Sequence, residues 1–222
     1  MSETPLQSGE GWIADELRAE HPGLGLVTLT LSLTTPLPRR TSRGLRERLD
    51  RIAERIHGAE AVTLRQQPVP HAYRVFFRHI GLDPDVTRIP VEALYVERLW
   101  HGGMPKHGPL GDALQLALAE TNVPVWALDT DTLDGALGLR LTRAGERLGR
   151  DPDTTTTLPS GRIVVADQGG PLALIFGDPA APHGATREAM TITLFTIRVD
   201  GVGMMEIEEA LWISAEALQD GG

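Results

Sequence analysis

The chain has 222 residues, 41% of them hydrophobic and 23% charged, a formal net charge of −9 and no cysteine. Without thiols there is no disulfide framework, thiolate nucleophile or cysteine-ligated zinc. The acidic balance disfavours nonspecific polyanion binding, which needs Lys and Arg to displace condensed counterions. No run approaches the roughly eighteen apolar residues of a membrane helix, and the N-terminal MSETPLQSGE lacks the basic and apolar regions of a secretory signal.

These features predict a cytoplasmic protein with no membrane partner. The length suits one domain, with residues 1–70 as a strand-helix extension and 71–222 as the core. Val27, Leu29, Leu31 and Leu33 alternate with Thr28, Thr30 and Ser32, which predicts a strand over 24–33 with one buried face. Leu45, Leu49, Ile52 and Ile56 then recur at helical steps, with Gly58 where a C-terminal cap would stand. The stretch 39–55 carries seven arginines against Glu47, Asp50 and Glu54. It reads either as a solvated face laced with ion pairs or as a docking strip for a phosphate backbone.

Pro68 and Pro70 precede a helix on which Ala72, Phe76 and Ile80 share a face, flanked by Tyr73, Arg74 and Arg78 and closed by Gly81. A further helix uses Val91, Leu94, Tyr95 and Leu99 and stops at Gly102-Gly103. Glu92 falls near its first turn, where a carboxylate serves either the helix terminus or a function. After a loop at 104–109, a helix over 111–121 is expected to bury Leu114, Ala117 and Leu118, with Asp112 in its first turn. Short strands follow at 124–128, 136–141, 162–167, 171–176 and 189–199, with turns at Asp134-Gly135 and Gly169-Gly170. Asp151–Ser160 reads as an exposed connection. A terminal helix aligns Ile207, Leu211, Ser214 and Leu218.

The sequence holds no GxSxG elbow, HExxH pair, P-loop or GxGxxG. The seven histidines lack the spacing that sets two imidazoles on one metal, so no metal site and no cofactor is expected.

Several short elements stand in a particular order: AYRVFFRHIGLDP at 72–84, Arg88 before Glu92-Ala93-Leu94, Met104-Pro105, Asp112, Pro124 with Asp129, Leu139-Arg140, Gly145-Glu146, and Val164-Val165-Ala166-Asp167. Over nearly the whole chain they resemble the editing domain of the phenylalanyl-tRNA synthetase beta subunit, most closely stand-alone proteins built of that domain plus a short N-terminal extension. The resemblance implies an α+β fold with a layered β core and flanking helices. It further implies hydrolysis of a wrong amino acid from aminoacylated tRNA, acting in trans as an aminoacyl-tRNA deacylase. One activity of such proteins is removal of canavanine from arginine tRNA. A noncatalytic module that binds tRNA or an amino acid is the alternative.

Where the synthetase has asparagine and histidine, this chain has Gln115 and Trp126, which separates its substrate from the synthetase's. On this resemblance the catalytic candidates are Gln115, Asp112 and Glu92. Substrate binding falls to Trp126, Asp129, Arg140, Glu146, His107 and Tyr73, and tRNA binding to Arg43, Arg46, Arg51, Arg55 and Arg74. An activated ester needs a positioned water and oxyanion donors more than a covalent nucleophile, so the missing nucleophile motif is no objection. A guanidinium-like substrate side chain should face at least one of Glu92, Asp112 or Asp129, because a planar cation pairs best with a carboxylate.

Overall fold

The alternating apolar positions of the first strong strand pattern do share a buried face: Val27, Leu29 and Leu31 are inside, while Thr28 and Thr30 are half-buried and Ser32 is exposed; Leu26, on the opposite face, is buried as well. A computed structural model describes residues 7–149 and 156–220, and the fold is α+β. In chain order the elements are β1 (Gln7–Glu10), β2 (Trp12–Ile13), α1 (Asp15–Glu20), β3 (Gly25–Ser32), α2 (Arg43–Arg55), α3 (Gly58–Thr63), α4 (Pro68–His79), α5 (Pro90–His101) and α6 (Gly108–Thr121). There follow β4 (Trp126–Asp129), β5 (Gly138–Leu141), β6 (Arg147–Leu148), β7 (Thr156–Thr157), β8 (Ile163–Asp167), β9 (Gly170–Leu174), β10 (Thr191–Arg198) and α7 (Met204–Gln219).

These elements gather into two compact units, each made of two pieces of chain. The β unit takes residues 1–36 and 126–198, and the helical unit takes 37–125 and 199–222. Neither unit boundary falls near residue 70.

The β unit has two four-stranded sheets, ordered β1-β3-β10-β4 and β2-β5-β8-β9. The first is antiparallel throughout, and in the second only β2 runs parallel to its neighbour β5. Gly11 is where the chain leaves one sheet for the other. Its amide donates to Leu26 of β3 at 2.8 Å, and the next amide, Trp12, donates to Leu137 at 3.0 Å. A Cβ on Gly11 would lie 2.6 Å from the Leu26 side chain and 2.7 Å from the Leu137 carbonyl, so only glycine fits. A Cβ on Gly138 would likewise overlap the Trp12 indole, whose Nε1 donates to the Ala136 carbonyl at 3.0 Å. β6 and β7 form a separate two-stranded sheet, so Thr156–Thr157 of the expected connection pair as a strand. Its residues 151–155 lie outside the described residues.

In the helical unit several expectations shift. Gly58 opens α3 rather than capping α2, whose C-terminal cap is Ile56. Tyr73 and Arg74 do not flank α4. Both are buried, at 1% and 5% exposure, because this helix is enclosed on more than one side. In α6 the buried positions are Asp112, Ala113, Gln115, Leu116, Ala117 and Thr121, with Leu114 and Leu118 only half-buried. The physical reason is Asp112, which is drawn inward to its hydrogen-bond partners and turns the face by one position. α5 ends at Gly102 in the left-handed region (φ 72°), as its sequence implied, and α7 buries Ile207, Leu211, Ser214 and Leu218.

Gly138→Ala is expected to lower unfolding free energy by about 1–3 kcal/mol through overpacking against Trp12. Gly44→Ala, on α2 with no heavy atom near its Cβ, should be neutral or add about 0.5–1 kcal/mol. Denaturant midpoints of the two variants check the contrast.

Candidate functional site

In the helical unit the expected site residues fall into two charged nodes and one isolated amide. Asp112 is 1% exposed and accepts from Thr41 Oγ1 at 2.6 Å, Arg46 Nη1 at 3.1 Å and the His107 backbone amide at 2.9 Å. Arg46 also donates to the carbonyls of Pro105 and Met104 at 3.4 Å each. This carboxylate therefore ties the 103–107 loop to α2, and both of its oxygens are engaged. His107 is held through its backbone, with its imidazole exposed.

The second node is a buried ion pair. Arg74 Nη1 meets the two Glu92 oxygens at 2.8 and 2.9 Å, and its Nη2 meets Asp85 at 2.7 Å. Glu92 is 4% exposed. Burial opposes the Arg74 charge, but the hydrogen bonds that Arg74 donates to Asp85 and Glu92 outweigh it and raise the guanidinium pKa. The Arg74 hydrogen bond likewise holds the Asp85 carboxyl below its ordinary range. These positions correct two sequence-based assignments: Arg74 is not offered to a phosphate, and Glu92 is committed to neutralising it. Breaking such a pair would strand a buried charge.

Gln115 stands one turn beyond Asp112 on α6. It is 6% exposed, and neither its Oε1 nor its Nε2 has a hydrogen-bond partner. A buried primary amide without partners among the described residues is costly.

The arginines of α2 divide by role. Arg43 pairs with Glu47 at 2.7 Å, Arg48 with Glu120 at 2.6 Å, and Arg46 belongs to the Asp112 node. Arg51 and Arg55, one turn apart, are exposed and make no ion pair among the described residues.

In the β unit, Trp126 is 8% exposed and stacks on Phe195, its cross-strand neighbour, with ring centroids 5.5 Å apart and planes at 20°. Phe176 lies against the same indole at 6.0 Å and 55°. The indole is thus mainly a core aromatic. Asp129, at the end of β4, accepts from the Asp131 amide at 3.1 Å through Oδ1 and so caps the short 3₁₀ turn Thr130–Thr132. Among the described residues its second oxygen takes no hydrogen bond. Of Glu92, Asp112 and Asp129, only Asp129 keeps an open carboxylate oxygen on a half-buried side chain.

The same sheet carries a row of hydroxyls that the period-two reading treated only as strand and turn residues. Thr193 Oγ1 is 2.8 Å from Thr130 Oγ1 and 3.3 Å from Thr30 Oγ1. The buried His183 sets Nδ1 3.2 Å from Thr132 Oγ1. Three threonines from β3, β10 and the 3₁₀ turn converge only because β3 and β4 pair on opposite sides of β10. The threonines within apolar strand patterns were the one available signal.

Arg140 and Glu146 form a bidentate pair at 2.8 and 2.6 Å, and Glu146 also accepts from the Arg143 amide at 2.8 Å. The pair fixes the corner after β5. Among the described residues no cluster of three or more His, Asp and Glu side chains is placed to hold a metal, and no helix is long and apolar enough to cross a membrane.

This α+β chain, with charged nodes in its helical unit and an open carboxylate on its β unit, matches the B3/4 domain family over residues 72–177, just under half of its length. The expected resemblance to the phenylalanyl-tRNA synthetase beta subunit stands, over a shorter span than nearly the whole chain. The chain is 36% identical over 94 residues to the phenylalanine–tRNA ligase beta subunit of Xanthomonas oryzae pv. oryzae, covering 42% of this chain and 12% of that protein. The same subunit of Xylella fastidiosa is 35% identical over 94 residues, with the same coverage. The chain thus spans about an eighth of the length of these relatives. Among solved structures, an N-terminal fragment of the Pyrococcus horikoshii phenylalanyl-tRNA synthetase beta subunit aligns with a TM-score of 0.41 and 15% identity, over 53% of this chain and 42% of that one.

The Arg140 hydrogen bond, reinforced by the Arg143 amide, holds the Glu146 carboxyl below the ordinary glutamate range despite partial burial. A carboxylate depressed in the folded state adds stability above its unfolded pKa and loses it as pH falls through the folded value. Glu146→Gln is therefore expected to cost about 1 kcal/mol at pH 7 and nothing once the wild-type carboxyl is protonated. Urea melts at pH 7 and pH 3 should show the two proteins converging in acid.

Proposed function

We propose that the protein is an aminoacyl-tRNA deacylase acting in trans, removing an amino acid with a guanidinium-like side chain, canavanine on arginine tRNA being the candidate. The observation that supports this most directly is Asp129. It is the one carboxylate of the expected three with an oxygen left to pair with a planar cation, and charge-assisted bonds of that kind are the strong ones. The row Thr30-Thr193-Thr130 supplies adjoining hydroxyls that both donate and accept, suited to orienting a water toward an ester carbonyl. The match to a ligase subunit whose name specifies tRNA points the same way, as does the Arg51/Arg55 pair as a phosphate contact on α2.

A noncatalytic binding module is the second reading. It is favoured by one fact: Asp112 and Glu92, two of the three proposed catalytic groups, are already consumed in ion pairs.

Incubation with a panel of charged tRNAs, following ester loss, separates the two. The deacylase reading expects faster loss of at least one mischarged species, canavanyl-tRNA foremost, and a drop of about tenfold to a hundredfold in kcat/KM for Asp129→Asn. Ester loss at the buffer rate for every pairing leaves only the binding module. For docking, replacing Arg51 and Arg55 together by Gln should weaken tRNA binding and lower the slope of log Kobs against log salt by about 2. An unchanged slope would return both arginines to a solvated face.

A further inference from the structure

The helical unit also carries a pocket of about 340 Å³ between α3, the turn that follows it and α5. None of the roles assigned above uses it. Its lining combines apolar side chains, Val62 of α3 and Val96 of α5 among them, with the polar Arg65, Arg88, Tyr95 and the buried Glu92.

One charge there lacks a partner. Glu92 is satisfied by Arg74, and Arg65 is shared between Asp85 at 3.2 Å and Glu92 at 3.6 Å. Arg65 and Arg74 are thus both paired with carboxylates. The unpaired charge lining the pocket is Arg88, which is exposed and, among the described residues, makes no hydrogen bond or ion pair. Val62, in the same lining, is 69% exposed, far more than an aliphatic side chain on a folded helix usually leaves to water. Tyr95 is half-buried, and burial, together with Glu60, raises its hydroxyl pKa, so it remains a neutral donor at pH 7.

We propose that this pocket binds a small organic monocarboxylate, with the carboxylate on the Arg88 fork and an apolar body against Val62 and Val96. The volume lies at the low end for small-molecule sites, which fits a ligand of roughly amino-acid size. A guanidinium with both donors free recognises a planar carboxylate bidentately, and one carboxylate neutralises the unpaired charge. A phosphate dianion would overshoot it, leaving a negative charge beside Glu92 and Asp85. A neutral amide would leave Arg88 unpaired. The site does not depend on the deacylase reading.

Isothermal titration with 3-phenylpropionate, its neutral amide 3-phenylpropanamide and inorganic phosphate tests the proposal on the full chain. Binding of the carboxylate, a loss of about tenfold or more for both the amide and phosphate, and the same loss for Arg88→Ala are expected, with partial recovery in Arg88→Lys. Val62→Asp, which sets a like charge in the pocket lining, should abolish carboxylate binding while leaving the circular dichroism spectrum unchanged. No carboxylate binding to the wild type, equal affinity for phosphate, or unchanged affinity in Arg88→Ala would each overturn it.

Discussion

The ladder between β3 and β10 is the constraint on which the other features rest. Eight residues of each strand pair in antiparallel register, from Thr191 opposite Ser32 to Arg198 opposite Gly25. A one-residue slip would turn Leu29 and Leu31 outward and Thr28 and Thr30 inward, so the apolar alternation fixes the register. The same register brings Thr30 and Thr193 together across 163 positions of sequence and, through β4 on the far side of β10, sets Thr130 next to them and Asp129 opposite Ile192. The hydroxyl row and the open carboxylate are consequences of strand pairing.

The helical unit is held by a different physics. Its fixed points are ion pairs in which each charge has two or more partners: Asp112 with Arg46, Thr41 and the His107 amide, and Arg74 with Glu92 and Asp85. Desolvating such groups is expensive, and the geometry offsets that cost only while every partner is present. Their worth is specificity of arrangement: Asp112 ties a loop to α2, and the Arg74 pair ties α4 to the start of α5. Gln115 is the contrast, a buried amide without a partner among the described residues.

Much of this organisation was legible in the sequence. Period-two and helical spacings located β3, β10, α2, α4, α5, α6 and α7, and the left-handed glycines marked the ends of α4 and α5. What the pattern missed was partnership. Asp112 and Arg46 are 66 positions apart, and no periodicity says that they meet; their meeting is why Leu114 and Leu118 lie at the margin of the buried face. Arg74 read as a surface cation because its carboxylates lie on other segments. β1, β2 and α1 went unread because Gly9 and Gly11 interrupt any alternation, although Gly11 is there so that two backbones can approach closely. At the candidate site, Asp129 was singled out by the resemblance, and the structure shows it capping the 3₁₀ turn. The threonine row needed the sheet order.

Each unit is written in two separated pieces of chain, and that has a bearing on how the protein is made. As the polypeptide emerges from the ribosome, β3 appears early, with Leu29 and Leu31 on its inner face, and its long partner follows only after five helices (α2 to α6) and six further β-strands have been synthesised. During that interval an eight-residue apolar strand has an open edge, which is the feature that invites pairing with a neighbouring chain. The helical unit waits too, because α6 packs most extensively on α7, which is made last. Until β10 arrives, β1, which precedes β3 in the chain, is at hand to occupy one edge of β3.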